Sequence, residues 1–429
     1  MIKQTLSFLF FLHSFFQPAS VFASTFTVAP TEKGSSVRKA IEMASPGDKI
    51  IIRKGVYREH GILITKPLTL LGEDHPVIDG EGKGEIFTVI SSNVAVIGLV
   101  IRNVGTNQVE DRAGIKIKNS KNCLIENNNL QNTYFGVYLY RSENCVIKGN
   151  TISGIGTRET ETGNAIHLWY CHKIAIENNN VSGHRDGIYL EFSDSSLIRG
   201  NTSSDHIRYG LHFMFSHNNE YYRNSFRNSG AGVAVMYSRN IYMHENLFAD
   251  NWSPVADGLL FKDIKDSRIE NNIIRNNTIG LYAEGCMRMK VTGNDFIKNG
   301  WAVKILGTAE DNIFSGNNFS ANTFEVVTNA SLNTNLFEKN YWSEYAGYDL
   351  DKDGIGDLPH RPVKLFTYLV EQIPSSIILL RSLFVDLLNL AEKVTPVITP
   401  ENLTDASPLM KEIKRKNPYT GTADKVSPF

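Results

Sequence analysis

The chain holds 429 residues, room for one very large domain or two ordinary ones. Its 44 lysines and arginines nearly cancel 45 aspartates and glutamates, so nothing in the net charge points to a nucleic-acid partner. Four cysteines permit disulfides, but a chain of this size does not need them.

Residues 1–23, "MIKQTLSFLFFLHSFFQPASVFA", combine an early Lys3, an apolar run and small residues at Val21 and Ala23. They read as an export signal cleaved near Ala23 and Ser24, and no later apolar run has the length of a membrane span. An exported, soluble mature protein is expected. Next, "SSVRKAIEMAS" sets Val37, Ala40, Ile41 and Ala44 at helical spacing, a short amphipathic helix suited to capping the first coil of a solenoid. "PGDKIIIRKGVYRE" and "GILITKPLTLLGED" then read as strands of irregular first coils.

From Gly114 a repeat dominates. "GIKIKNSKNCLIENNNL", "GVYLYRSENCVIKGNTI" and "GLHFMFSHNNEYYRNSF" begin at Gly114, Gly136 and Gly210, and five further copies start at residues 165, 187, 232, 258 and 280. Fourteen positions after each start stands an asparagine: Asn128, Asn150, Asn179, Asn201, Asn224, Asn246, Asn272 and Asn294, with Asn317 and Asn340 continuing the series. The intervals are 22, 29, 22, 23, 22, 26, 22, 23 and 23 residues, a solenoid period. Two short alternating strands per repeat, with no room for a long helix, predict an all-β domain over residues 24–345. The expected fold is a right-handed parallel β-helix with coils about 4.8 Å apart, its hand inferred from likeness to known solenoids of this period. Asparagine in a fixed turn tolerates left-handed backbone, and stacked amides can bond coil to coil.

The alternation assigns faces. Ile115 and Ile117, Val137 and Leu139, and Leu211 and Phe213 point inward, so the second and fourth residues after each start point out. The second-place series reads Lys116, Tyr138, His167, Tyr189, His212, Ala234, Leu260, Tyr282; the fourth-place series reads Lys118, Tyr140, Trp169, Glu191, Met214, Met236, Lys262, Glu284. His212, Met214 and Met236, with His167 below, thus share one outward face predicted to be exposed. Imidazole with thioether is the donor set suited to Cu(I), so these four are the copper-ligand candidates. A lone exposed His or Met usually has no role, and outward aromatic stripes also bind sugars. His172, His217 and His244 fall on other sides, and Met243 points inward. Cys123 and Cys145 occupy one interior slot in adjacent coils, as stacked thiols or a disulfide; Cys171 and Cys286 complete the set.

A carbohydrate-active enzyme is the competing class. Such a lyase, epimerase or glycosidase requires a carboxylate pair, or a base with an acid, on one sheet; Glu191 and Glu284 stand four coils apart, roughly 20 Å, too far for a two-carboxylate hydrolase. Asp186 and Asp257, just before coil starts, stay open for that role.

Residues 346–365 form an acidic loop and linker. In "YDLDKDGIGD", Asp349, Asp351, Asp353 and Asp357 alternate around Gly354, with Ile355 able to offer a carbonyl. That is the first half of a calcium loop, lacking its final bidentate Glu because His360 stands there; a solvated acidic turn is the alternative. Residues 366–429 change character. "SSIILLRSLFVDLLNLAEKV" is an amphipathic helix whose apolar face is wider than packing on its own solenoid needs. It reads as a partner-binding or membrane-proximal helix, or as an end cap; Arg381 and Asp386 argue against a span. "TPVITPENLTDASPLMKEIKRKNPYTG" reads as an extended, partly disordered end.

Together "GNAIHLWYCHKI", "GHRDGIYLEFS", "RYGLHFMFSHNN", "NYWSEYAGYDLDKDGIGDLPHRPV" and "LLRSLFVDLLNLAEKVTPVITPENLTDASPLM" resemble the NosD family over nearly the whole mature chain, including its non-repetitive end. The resemblance implies a non-catalytic periplasmic accessory protein for maturation of nitrous-oxide reductase. It further implies a part in delivering copper to the copper–sulfide centre, beside an ABC transporter and a copper-donating lipoprotein. In that setting the C-terminal helix would dock on the transporter permease, keeping the protein at the membrane through its partners, and the His/Met face would receive or pass Cu(I).

Overall fold

The computed structural model describes residues 23–30, 36–106, 110–252, 257–329, 334–394, 403–415 and 419. Nearly all of the export signal lies outside them. The chain winds into a parallel β-solenoid of about 13 turns. Each regular coil contributes three strands, as in Tyr209–Met214, Glu220–Tyr222 and Ser225–Arg227. These stack into walls of 12, 14 and 13 strands, here the first, second and third walls. The third strand, absent from the two-strand expectation, is only three residues long and in several coils buries a single side chain, such as Leu130, Ile152 or Val181. So short a segment leaves no alternation to read.

Register is held from inside. Asn201 N and Nδ2 both donate to Asn224 Oδ1 at 2.9 Å, and Asn224 Nδ2 donates to Ile198 O and to Asn246 Oδ1, each at 3.0 Å. The same pattern runs to Asn317 and Asn340. These asparagines are buried and do not adopt the left-handed backbone expected of them. The preceding residue does: Asn127, Asn178, Arg223 and Asn271 have φ of 53°, 53°, 53° and 55°. That turn drives the next side chain inward, where its amide satisfies backbone groups that no water can reach. Ring stacks such as Phe226–Phe248 and Phe296–Phe319–Trp342 fill the core beside it. Met243 is fully buried, and the four cysteines are buried free thiols.

Both ends are capped. Helix α1, Val37–Met43, buries Val37 and Ile41 over the first coil, with Ser36 accepting from Lys39 N. At the far end α2, Leu365–Gln372, lays Phe366 and Val370 against Phe324, and Val385 of α3, Leu383–Val394, joins the cluster. Residues 403–415, expected to be partly disordered, are instead tied down. Asp405 accepts from Asn340 N, Asn340 Nδ2 and Trp342 Nε1, each at 3.0 Å, filling the slot of the next ladder asparagine. A carboxylate accepts only, so the ladder ends there.

Candidate metal-handling face

The first wall carries the predicted face. Its rungs pair Tyr189 with His212 and Glu191 with Met214, then His212 with Ala234 and Met214 with Met236. The two thioethers therefore sit side by side, one column out from the imidazole, and both are half-buried. Tyr189 Oη donates to Met214 Sδ at 3.7 Å.

The expected exposure of the second-place series is corrected. His212 is 4 % exposed, and Tyr138, His167 and Tyr189 are also buried. Parallel rungs one strand spacing apart let each ring cover the next. Tyr138 and His167 stack at 4.6 Å, His167 and Tyr189 meet edge-on at 4.9 Å, and His212 lies 4.6 Å from Tyr189 and 4.8 Å from Tyr209. His167 is not brought to the trio, because the Tyr189 rung separates it from His212. Burial, then the Arg185 cation, push its pKa down to about 3. Asn164 Oδ1 accepts from Arg185 Nη2 at 3.2 Å, which turns Nδ2 of Asn164 toward His167 Nδ1 at 2.9 Å and occupies that lone pair. His217 and His172 lie in the following turn and His244 on the second wall, bound to Glu220 at 3.0 Å.

Beside His212 is a group of charges of which patterning singled out Asp186 alone, and for a different role. Asp186, 1 % exposed, has His212 Nδ1 at 3.7 Å, Arg208 Nε at 3.4 Å and Arg185 Nε at 3.7 Å. Burial alone raises the Asp186 carboxyl, but His212 and the two guanidinium groups outweigh it and hold the pKa below the usual range. Both Asp186 oxygens, both His212 nitrogens and Arg185 Nε lack a hydrogen-bond partner. The sequence signal was local: Asn164, Asp186 and Asp257 hold the place before the coil start where Ala113, Phe135, Ala231 and Ile279 stand elsewhere.

On the outer side of the methionines runs a second feature. Tyr170, Phe192, Phe215 and Tyr237 stack rung on rung at 4.8, 5.2 and 4.9 Å. Each is between 38 and 47 % exposed. All four have left-handed backbone, with φ of 53°, 49°, 51° and 53°. Toward the N-terminal end the same wall forms a cleft lined by Asp111, Lys116, Lys118, Tyr138, Tyr140 and Trp169.

Asp186 and Asp257 do not form a hydrolytic pair: they are three rungs apart through Tyr209 and Ala231, roughly 14 Å. A carboxylate pair that cleaves a glycoside works at about 5 to 9.5 Å. In the acidic turn Asp349, Asp351 and Asp353 bring oxygens within 4.8 Å of one another. Asp357 is not among them; its carboxylate accepts from Leu350 N at 2.8 Å. Asp349 and Asp353 likewise accept from Gly354 N and Ile355 N, at 3.0 and 2.7 Å. His360 is elsewhere again, buried on Glu325 at 2.8 Å.

These elements define a capped parallel β-solenoid with one wall of imidazole, thioether and aromatic side chains. A family model described as "Periplasmic copper-binding protein (NosD)" matches residues 41–158 and 155–347. The chain belongs to the NosD family. It is 30 % identical over 367 residues to a Pseudomonas aeruginosa protein named "Probable ABC transporter binding protein NosD", covering 81 % of this chain and 85 % of that one. A Stutzerimonas stutzeri protein of the same name is 29 % identical over 368 residues, covering 81 % and 84 %. Among solved structures, the A-module of the Azotobacter vinelandii mannuronan C-5 epimerase AlgE6 aligns with a TM-score of 0.56 at 15 % identity, over 70 % of this chain and 94 % of that one. The Dettilon tailspike protein gives 0.55 at 12 % identity, over 72 % and 70 %. These likenesses establish the shared fold alone.

Proposed function

We propose that this protein is a non-catalytic accessory factor of the periplasm that receives and passes Cu(I) during maturation of nitrous-oxide reductase. It works beside an ABC transporter and a copper-donating lipoprotein. The observation that carries the reading is the in-register pairing of Met214 with Met236, with His212 one column inward. Thioether and neutral imidazole suit a soft monovalent ion, and a site of few neutral donors can release what it takes. The half-buried sulfurs meet the incoming ion first and the buried imidazole completes the set. The donors are His212, Met214 and Met236; His167 takes no part. The acidic turn is also outside this role, since its carboxylates are engaged with their own backbone.

Docking falls to α3. Val385 faces the solenoid while Leu383, Phe384, Leu387 and Leu390 are each more than half exposed. Such a stripe on a short helix is larger than a free surface ordinarily carries, and the relatives' printed names supply the partner class, an ABC transporter. The test is Cu(I) titration of the mature chain in competition with a chromogenic chelator. Replacing His212, Met214 and Met236 together by alanine is expected to weaken binding at least tenfold, about 1.4 kcal/mol for the three together. Unchanged affinity would refute the ligand assignment, and a deletion strain with fully active reductase would refute the role.

A further inference from the structure

Buried polar atoms without partners are rare in native proteins, and several at one place mark a site rather than a packing accident. Five such atoms occur together on the first wall: Asp186 Oδ1 and Oδ2, His212 Nδ1 and Nε2, and Arg185 Nε. None of the three side chains is free to leave. Arg185 is tied through Nη2 to Asn164 Oδ1 at 3.2 Å, and Arg208 brackets Asp186 from the next coil at 3.4 Å while reaching Glu159 at 3.7 Å. His212 is wedged between Tyr189 and Tyr209. The carboxylate stands on the Nδ1 side of the imidazole, at 3.7 Å, inside ion-pair range but longer than a hydrogen bond.

We infer that Asp186 is the positioning residue for His212: clamped between Arg185 and Arg208, it holds the ring as the Nδ1–H tautomer and keeps the Nε2 lone pair available to a metal ion. The physical reason is general. A neutral imidazole has one N–H and one lone pair, and a carboxylate accepts only, so the N–H must face it. Histidines that bind metals are commonly oriented by a carboxylate on their second nitrogen, which also raises the basicity of the first. The contrast with His167 supports the assignment. There the neighbour is an amide donor, Asn164 Nδ2, and it occupies the Nδ1 lone pair instead. Two imidazoles on one wall thus carry opposite tautomers, set by Asn164 and Asp186 in equivalent places of adjacent coils.

The inference rests on the Cu(I) reading only for its purpose; the tautomer can be measured on the apo protein. Nitrogen-15 NMR of the mature chain labelled at histidine, with the His212 signals assigned by a His212→Gln variant, is expected to show protonated Nδ1 and unprotonated Nε2. Asp186→Asn is expected to abolish that preference and to weaken Cu(I) binding about tenfold. A protonated Nε2 at His212 in the wild-type chain would overturn the inference and leave the copper reading standing. Because that result needs only the wild type, it stands even where Asp186→Asn fails to fold. The expected tautomer together with Cu(I) affinity insensitive to loss of Met214 and Met236 would uphold the positioning role and overturn the copper reading instead.

Discussion

Asn224 lies in the coil that carries His212 and Met214, and its removal tests what holds that face in register. Asn224→Ala deletes one acceptor and one donor group. Asn201 N and Asn201 Nδ2 lose Asn224 Oδ1, and Ile198 O loses Nδ2. All are interior, so water cannot replace the lost partner. At about 1 to 3 kcal/mol for each buried group left unsatisfied, the two orphaned N–H donors alone cost about 2 to 6 kcal/mol. In a solenoid that loss is felt mainly by the neighbouring coils, because each coil contacts only those beside it. Urea unfolding followed by circular dichroism is expected to move to lower denaturant, with amide exchange accelerating first across residues 197–250. Asn180→Ala, at an exposed position outside the ladder, is expected to change stability by less than about 0.5 kcal/mol. If Asn224→Ala behaves like Asn180→Ala, the amide ladder does not hold the register.

Three more outcomes are expected. Burial is the largest cause holding His167, His184 and His206 down, to about 3, 3 and 4, against about 6.5 in the unfolded chain. The unfolded state therefore binds more protons below about pH 6.5, and stability is full above that value and falls as pH drops toward 4. At pH 5.5 the three imidazoles together cost about 4 kcal/mol relative to pH 8, read as a lowered thermal midpoint; a flat profile across this window would contradict their neutral burial. Replacing Phe384 and Leu387 by serine is expected to leave the midpoint within a few degrees of wild type while abolishing co-purification with the transporter; loss of folding without loss of partner would reverse the roles assigned to the two faces of α3. Phe215→Asn, which installs a residue suited to left-handed backbone, is expected to hold or raise stability yet slow Cu(I) exchange with the donor protein, measured by stopped-flow; unaltered exchange would leave the ring stack without a functional part.

The solenoid and the partnership of Met214 with Met236 were legible because both depend on counting: a repeat fixes which residues are stacked, and alternation fixes which way they point. Burial of His212 was not legible, since it depends on the rings one coil above and below. A second interior ladder was equally hidden. His184, His206, Ser229, Asn251, Asn277, Asn299 and Asn322 link coil to coil through backbone N–H bonds to their side chains. Histidine and serine hold its first places and asparagine only the last four, so no single letter runs its length. Asp405 was hidden for the opposite reason. One acid in a proline-punctuated tail carries no periodic signal, although its oxygens continue the asparagine series across 65 residues of intervening chain.

Left-handed backbone recurs at turns throughout the solenoid, including at residues that tolerate it poorly such as Lys173, Arg223 and Lys298, and the turn beside the methionines is set apart by its four stacked rings. One turn position takes left-handed backbone in coil after coil. Asn119, Asp263, Gly285 and Gly307, residue types that tolerate it, hold it at φ of 51°, 50°, 64° and 65°, and Arg141 holds it at 47°. Between them Tyr170, Phe192, Phe215 and Tyr237 adopt the same backbone, at about 1 to 2 kcal/mol each. Three ring contacts at about 0.5 to 1.5 kcal/mol each, together with the more than half of each ring that is buried, offset much of that. Phe192 and Phe215 have a ring on each face, which leaves their edges to solvent, a poor platform for a sugar ring, which stacks on faces. Ring edges do attract sulfur. The stack therefore borders Met214 and Met236 with ring edges suited to thioether side chains.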